Sequence, residues 1–182
     1  MMGDIGRGVV AAGYCLVIWD CGWLRKDMKE MAIKRRLSRE ITVQSLYQME
    51  MNEVQAKEAV EMLLEEAAAD NESEVQVRDE VELSAYVLDV VNGVWNQREA
   101  IDGLLVDYLQ NWQVSRLSRV DRQILRLAVY EMVFTEDVPA KVAVNEAIEL
   151  SKHFGTEESG KFVNGVLGKM IQDLDKLKGK QQ

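Results

Sequence analysis

The sequence has almost no histidine, cysteine or proline. Its 182 residues include one histidine, two cysteines and one proline. Two cysteines cannot provide a disulfide framework for a chain of this length, and no cluster of histidine and cysteine is present to bind zinc. The single histidine, His153, falls near a predicted helix end rather than within a recognisable catalytic arrangement. We therefore expect no enzyme activity, no catalytic residues, no metal site and no cofactor.

Because proline breaks helices and glycine loosens them, a chain with only Pro139 in its interior can form long helices. Apolar residues recur at three- and four-residue steps, as in Val120, Ile124 and Leu127, and no segment alternates well enough to predict a strand. The spacing predicts an all-α protein of about seven helices, near 37–52, 56–69, 79–94, 96–109, 118–132, 137–154 and 156–170. Gly155 suits a left-handed residue after the sixth helix.

Negative charge dominates the sequence, but it is unevenly distributed. The formal net charge is −9, which alone argues against non-specific binding to nucleic acid. From Met31 to Tyr47, however, four basic residues stand against one acid, whereas residues 48–82 carry twelve acids and two bases. Such a layout can bind a polyanion at one end while the protein remains soluble.

The first thirty residues differ from the rest in composition. Val9–Trp19 is an apolar run too short to span a bilayer, and no typical cleavage site follows it. We interpret residues 1–30 as an atypical extension that is poorly ordered, or as an artefact of a start codon that belongs at Met31. The remaining chain predicts one helical domain over residues 31–175 and a frayed basic tail over residues 176–182. We expect a cytoplasmic protein without membrane association.

A basic segment opens the predicted domain. Arg35 and Arg39 are one helical turn apart, Arg36 lies beside them, and Tyr47 follows Arg39 on the same predicted face. Guanidinium groups bind phosphates, and a tyrosine ring can stack on an unpaired base, so this combination suits single-stranded RNA. The alternative is a solvated charge cluster with Tyr47 packed in the core.

A second set of arginines recurs at three- and four-residue steps: Arg116, Arg119, Arg122 and Arg126. These residues could extend an RNA surface or contact an acidic partner. The interpretation that we favour for most of them is pairing with the acidic region of residues 48–82.

Three stretches resemble one protein family. They are Arg35-Arg-Leu-Ser-Arg-Glu continuing to Tyr47, Leu117 to Glu131 with the sequence LSRVDRQILRLAVYE, and Val142 to Leu167 with VAVNEAIELSKHFG followed by ESGKFVNGVL. Together they resemble the NusB family over about residues 31–173. The resemblance implies about seven helices in two perpendicular bundles.

The same resemblance implies a function and a set of site residues. NusB-like proteins bind boxA-type single-stranded RNA in nascent ribosomal transcripts, together with the ribosomal protein NusE, as part of an RNA polymerase antitermination complex. By motif position, the expected RNA contacts are Arg35, Arg36, Arg39, Tyr47, Lys161 and Phe162. The residues expected to face the protein partner are Tyr108, Asp121 and Arg122.

Two alternatives remain open at the level of sequence. NusB-like domains also precede the catalytic domain of ribosomal RNA cytosine methyltransferases, although no glycine-rich cofactor loop is present in this sequence. The other alternative is an interaction protein that forms a homodimer and hides its arginine face.

Overall fold

The computed structural model describes residues 21–70, 77–109 and 113–179, and for residues 21–33, 70 and 77–80 it describes only the course of the backbone. Within these ranges the regular elements are all helical, which confirms the predicted all-α class. The α-helices are α1 (Cys21–Asn52), α2 (Ala56–Asp70), α3 (Val77–Asn96), α4 (Arg98–Val106), α5 (Arg119–Val129), α6 (Ala140–Phe154), α7 (Glu157–Met170) and α8 (Leu174–Gly179). Short 3-10 helices occupy Val114–Arg116 and Ile171–Asp173, and a π-helical turn over Tyr130–Phe134 extends α5.

Two boundaries differ from the sequence-based expectation. Helix α1 begins at Cys21 instead of near residue 37, so the basic segment is part of a long helix. Of the extension expected to be poorly ordered, residues 21–30 are helical and residues 1–20 lie outside the described part of the chain. Residues 176–179 were expected to belong to a frayed tail, but they lie in α8, where Leu177 is buried to 2% exposure. Residues 180–182 and most of the predicted loop at 70–77 lie outside the described residues.

The helices pack in two groups. Helices α1, α2 and α3 contact one another, and α5, α6 and α7 form the second group, in which the contact between α6 and α7 is the most extensive. The groups meet where α1 packs on α5. Five of the six residues from Ile124 to Val129 are apolar and buried, and the sixth, Arg126, is buried as well, so this part of α5 is surrounded by protein. Its burial brings the α1 arginines next to the second group.

Local sequence signals account for most helix ends. The Ser118 hydroxyl accepts a hydrogen bond from the Asp121 N–H at 3.0 Å, and the Thr156 hydroxyl accepts one from the Ser159 N–H at 3.3 Å. These residues therefore cap the two helices that were predicted to begin near residues 118 and 156. Gly155 ends α6 as predicted, but its φ of −132° is not left-handed. Glycine is needed there for space, because a Cβ would lie 2.9 Å from the Ser151 carbonyl oxygen.

Within the described residues, no helix combines the length and the apolar character that a membrane crossing requires. The same residues contain no group of three or more His, Cys, Asp or Glu side chains placed to hold a metal ion.

Candidate nucleic-acid interface

Arg35 and Arg36 lie exposed on α1, where a polyanion can reach them. The Arg36 side chain is 45% exposed, and its Nε donates to Glu40 Oε1 one turn away at 3.1 Å. An exposed pair of this kind contributes little to stability, so exchanging Glu40 for a phosphate costs little free energy. Both arginines therefore have the exposure that the sequence-based interpretation requires.

Arg39 has the opposite environment. Its side chain is 8% exposed, and its Nε donates to both carboxylate oxygens of Glu131, at 2.9 and 3.2 Å. One terminal nitrogen, Nη1, donates to the Arg35 carbonyl oxygen at 3.2 Å. This environment disfavours the expected contact between the Arg39 side chain and RNA. A guanidinium that is buried and already bound by a carboxylate is not available to a phosphate.

The acceptor, Glu131, lies in the π-helical turn that follows α5 and is itself buried. Burial raises the pKa of Glu131 above its ordinary value, although the charge and hydrogen bonds of Arg39 act in the opposite direction. Glu146 of α6 lies 3.9 Å from Arg39 Nη1. Arg39 thus joins α1 to both α5 and α6, and through the Arg35 carbonyl it fixes the helix turn that carries the exposed arginines.

The sequence contains a signal for the burial of Glu131. Glu131 follows Ile124, Leu127 and Ala128 at helical spacing, so it continues an apolar face of α5. A carboxylate on a buried face needs a buried cation, and Arg39 occupies the matching position on α1.

The remaining predicted RNA contacts lie on α1 and α7. Tyr47 is half-buried, so it is neither a fully buried core residue nor a freely exposed ring. Lys161 is 70% exposed, and its Nζ donates to Glu158 Oε1 at 2.7 Å. Phe162 is partly buried and packs against the core. Helix α6 lies between the predicted contacts on α1 and those on α7, because it carries Glu146 beside Arg39 and packs along α7.

The three residues expected to face a protein partner form hydrogen bonds with different segments of this chain. The Tyr108 hydroxyl donates to Asp173 at 3.2 Å, which links the residues after α4 to the C-terminal turn. Asp121 accepts a hydrogen bond from the Ser118 hydroxyl at 2.7 Å, at the start of α5. Arg122 donates to Glu50 at the end of α1, and its side chain is only 11% exposed. The direct partner role of these residues stays a prediction.

Two of the four arginines in the second set are bound to carboxylates of other helices. Arg126 donates to both oxygens of Asp102 at 2.9 and 2.6 Å and to Glu50 at 3.0 Å. Burial disfavours the charge of Arg126, but Asp102 and Glu50 outweigh it and raise the pKa. Arg122 shares Glu50, whereas Arg116 and Arg119 are exposed. Pairing with the acidic region is thus confirmed for Arg122 and Arg126, with Asp102 as an additional partner from outside it.

Comparison with known proteins adds an independent result. The model of the NusB family matches residues 36–172. The transcription antitermination protein NusB of Acetivibrio thermocellus is 43% identical over 138 residues, which cover 76% of this chain and 88% of the relative. The protein of the same name from Bacillus subtilis is 38% identical over 143 residues, which cover 79% of this chain and 98% of the relative.

Solved structures agree with these relatives. The NusB structure from T. maritima superposes with a TM-score of 0.63 at 34% identity and covers 76% of this chain and 91% of its own. A crystal structure of the antitermination factors NusB and NusE in complex with double-stranded RNA matches with a TM-score of 0.64 at 25% identity, covering 76% and 96%.

Proposed function

This chain belongs to the NusB family, and we propose that it binds boxA-type single-stranded RNA of nascent ribosomal transcripts together with the ribosomal protein NusE. In this role it joins an antitermination complex on RNA polymerase, in the cytoplasm and without catalysing a reaction. The observation that carries the proposal is the exposure of Arg35 and Arg36 on a helix whose position is fixed by the buried pair of Arg39 and Glu131.

The proposed RNA contacts are Arg35, Arg36, Tyr47, Lys161 and Phe162. The two arginines and the lysine supply positive charge to phosphates, and the two rings supply surfaces for unstacked bases. Arg39 is proposed as a positioning residue only, because its guanidinium is bound inside the protein.

The proposed protein contacts are Tyr108, Asp121 and Arg122, which lie near the ends of α4 and α5. A protein bound there and an RNA bound at α1 strengthen each other when the RNA also contacts the partner. Each component alone then binds weakly, and the three together bind well.

The test is a binding titration of the full chain with a short boxA-like RNA, with and without NusE, across a series of salt concentrations. We expect affinity to rise when NusE is present and to fall as salt increases. A scrambled single strand and a double-stranded RNA of the same length serve as controls for sequence and for strandedness. Absence of binding under all conditions, with or without NusE, would refute the proposed function.

A matched pair of variants locates the RNA on the protein. Arg36 and Lys57 are both exposed basic residues with a glutamate one turn later, but Lys57 lies on α2. Arg36→Ala should weaken RNA binding about fivefold and reduce the salt slope by about 0.7, the value for one lost contact to a single strand. Lys57→Ala should change neither quantity, and equal effects of the two variants would place the RNA elsewhere.

The size of the complex in the same titration separates the proposal from the homodimer alternative. A complex of one chain with RNA and NusE supports the proposal. A dimer that binds no RNA until it dissociates would indicate that the arginine face is occluded by a second copy.

A further inference from the structure

A cleft of about 600 Å³ opens between α1, α3 and α6, beside the exposed arginines. Arg35 and Ser38 of α1 form one wall, and Leu83 and Tyr86 of α3 form the opposite wall. Val142 of α6 completes the lining on the third side. No residue predicted as an RNA contact from the sequence, other than Arg35 and the buried Arg39, belongs to this cleft.

The cleft presents apolar and aromatic surface to solvent. Tyr86 is 44% exposed and Val142 is 43% exposed, so two large side chains of the lining are open to solvent. Burial and the Glu131 carboxylate raise the pKa of the Tyr86 hydroxyl, although the Arg39 guanidinium lowers it. Tyr86 thus lines the cleft beside Arg39 of the buried ion pair, and 44% of the residue remains exposed to solvent.

Carboxylates surround this aromatic surface. Glu82 of α3, Asp137 before α6 and Glu146 of α6 line the cleft. Lys34, Arg35 and Arg39 also line the cleft, but Arg39 is bound by Glu131. The three carboxylates therefore offset the remaining positive charge and disfavour a phosphate inside the cleft. They are suited to a neutral group that donates hydrogen bonds, and amino groups on the edge of cytosine, adenine or guanine are donors of that kind.

We propose that the cleft holds one unstacked RNA base with an exocyclic amino group, which stacks on Tyr86 and donates to the carboxylates. This inference rests on the proposed function. The occupant is a nucleotide because the exposed Arg35, a proposed phosphate contact, lines the same cleft and can bind the adjoining phosphate. The cleft thus adds base selectivity to a surface that otherwise contacts phosphates.

The first test places 2-aminopurine at each position of the boxA-like RNA in turn and measures its fluorescence on binding to the full chain with NusE present. One position should be quenched by stacking in the wild-type protein and not in Tyr86→Ala. Tyr86→Ala should lower affinity about fivefold to tenfold, in the range measured for loss of one base–aromatic stack. Its salt slope should not change, because a tyrosine neutralises no phosphate.

Two controls separate loss of the stack from loss of the fold. Tyr86→Phe keeps the ring and should retain affinity within about twofold, since stacking needs only the aromatic face. Met62→Ala removes a large side chain of similar exposure from α2, away from the cleft, and should have no effect on RNA binding. Thermal unfolding of each variant checks that the helical fold is intact.

The second test concerns the carboxylates. At the position identified by fluorescence, replacement of an amino-bearing base by uracil should weaken binding about tenfold, because the uracil carbonyl meets carboxylate oxygens. The double variant Glu82→Gln with Asp137→Asn should reduce this discrimination, because the amides can donate to the carbonyl.

The possible outcomes separate the two proposals. Loss of the quench and of affinity in Tyr86→Ala, with retention in Tyr86→Phe, supports the base-binding cleft. If Tyr86→Ala binds RNA normally and shows the same quench at the same position as the wild type, the base-binding role of the cleft is overturned and the proposed function remains intact. Failure of the wild type to bind RNA refutes both proposals. A cleft variant that binds RNA normally in the absence of NusE but no longer binds NusE would assign the cleft to the protein partner and overturn the RNA assignment.

Discussion

Two sets of arginines recur at helical spacing in this chain, and their surroundings differ. In the first set, on α1, Arg35 and Arg36 are exposed and Arg39 is buried. Around α5 the order along the chain is the same, but more arginines are paired, since Arg116 and Arg119 are exposed whereas Arg122 and Arg126 are both bound to carboxylates of other helices. The comparison shows that spacing places arginines on a face, while the residues packed against that face decide what the arginines bind.

Each set also contains a buried arginine that joins helices, but the two ion pairs differ in exposure. The Arg39–Glu131 pair is nearly closed to solvent, with side chains 8% and 5% exposed. The partners of Arg126 are about a quarter exposed, since Glu50 is 26% and Asp102 is 27% exposed. Loss of the cation should therefore be more costly in the first pair, because water can solvate the carboxylates of the second.

The largest expected effect is that of Arg39→Ala on folding. Removing the guanidinium leaves Glu131 buried without a partner, and the free energy of unfolding should fall by about 4 kcal/mol. Urea denaturation followed by circular dichroism measures this loss. The double variant Arg39→Met with Glu131→Leu should recover most of it, because neither charge then remains buried. A recovery of stability without recovery of RNA affinity would show that the pair also positions Arg35 and Arg36.

Arg126→Ala should lower the free energy of unfolding by a smaller amount, about 2 kcal/mol, because Glu50 and Asp102 gain access to water. Its RNA affinity should remain that of the wild type at temperatures where it is folded. A loss of stability as large as that of Arg39→Ala would contradict the role given to exposure in this comparison.

One exposed arginine from each set, Arg36 and Arg119, provides the next contrast. Arg36→Ala and Arg119→Ala should each change the free energy of unfolding by less than about 0.5 kcal/mol, as expected for surface substitutions. Only Arg36→Ala should weaken RNA binding, by about fivefold and with a smaller salt slope. Parallel titrations at several salt concentrations measure both effects. If Arg119→Ala weakened binding equally, the RNA surface would extend to α5.

The smallest expected effect concerns the start of α7. Glu158 accepts a hydrogen bond from Lys161 and places a negative charge beside a proposed RNA contact. Glu158→Gln should raise RNA affinity about twofold, because it releases Lys161 and removes repulsion of the phosphates, and both side chains are too exposed for more. Glu65→Gln, on α2, is the matched control and should leave affinity unchanged. No gain from Glu158→Gln would place Lys161 outside the RNA path.

The sequence predicted the helical class, several helix ends and the family from local features. The serine and threonine caps at residues 118 and 156 could be recognised because a cap needs only a hydroxyl and a nearby backbone N–H. The beginning of α1 could not be recognised in the same way. The first helix was predicted near residues 37–52, whereas α1 begins at Cys21 and includes the basic residues before residue 37.

The environment of individual charged residues was harder to predict from the sequence than the helices were. Arg36 and Arg39 are identical in type and three positions apart, yet one is exposed and the other is bound by Glu131, which is 92 residues away in the sequence. The apolar face that continues to Glu131 signals burial of a carboxylate, but it does not identify the cation. Pairing with Asp102 was likewise outside the acidic region from which partners for Arg126 were expected.

The sequence by itself determined that this chain forms amphipathic helices, that positive charge is concentrated near the start of the helical domain, and that the chain belongs with NusB proteins. These properties depend on spacing and composition, which are local. Only the tertiary structure decided that Arg39 is buried against Glu131, and that Tyr86 lines an open cleft beside Arg35. Both depend on how α1 packs against helices that are distant in sequence, because burial and charge pairing are set by the neighbours that folding brings together.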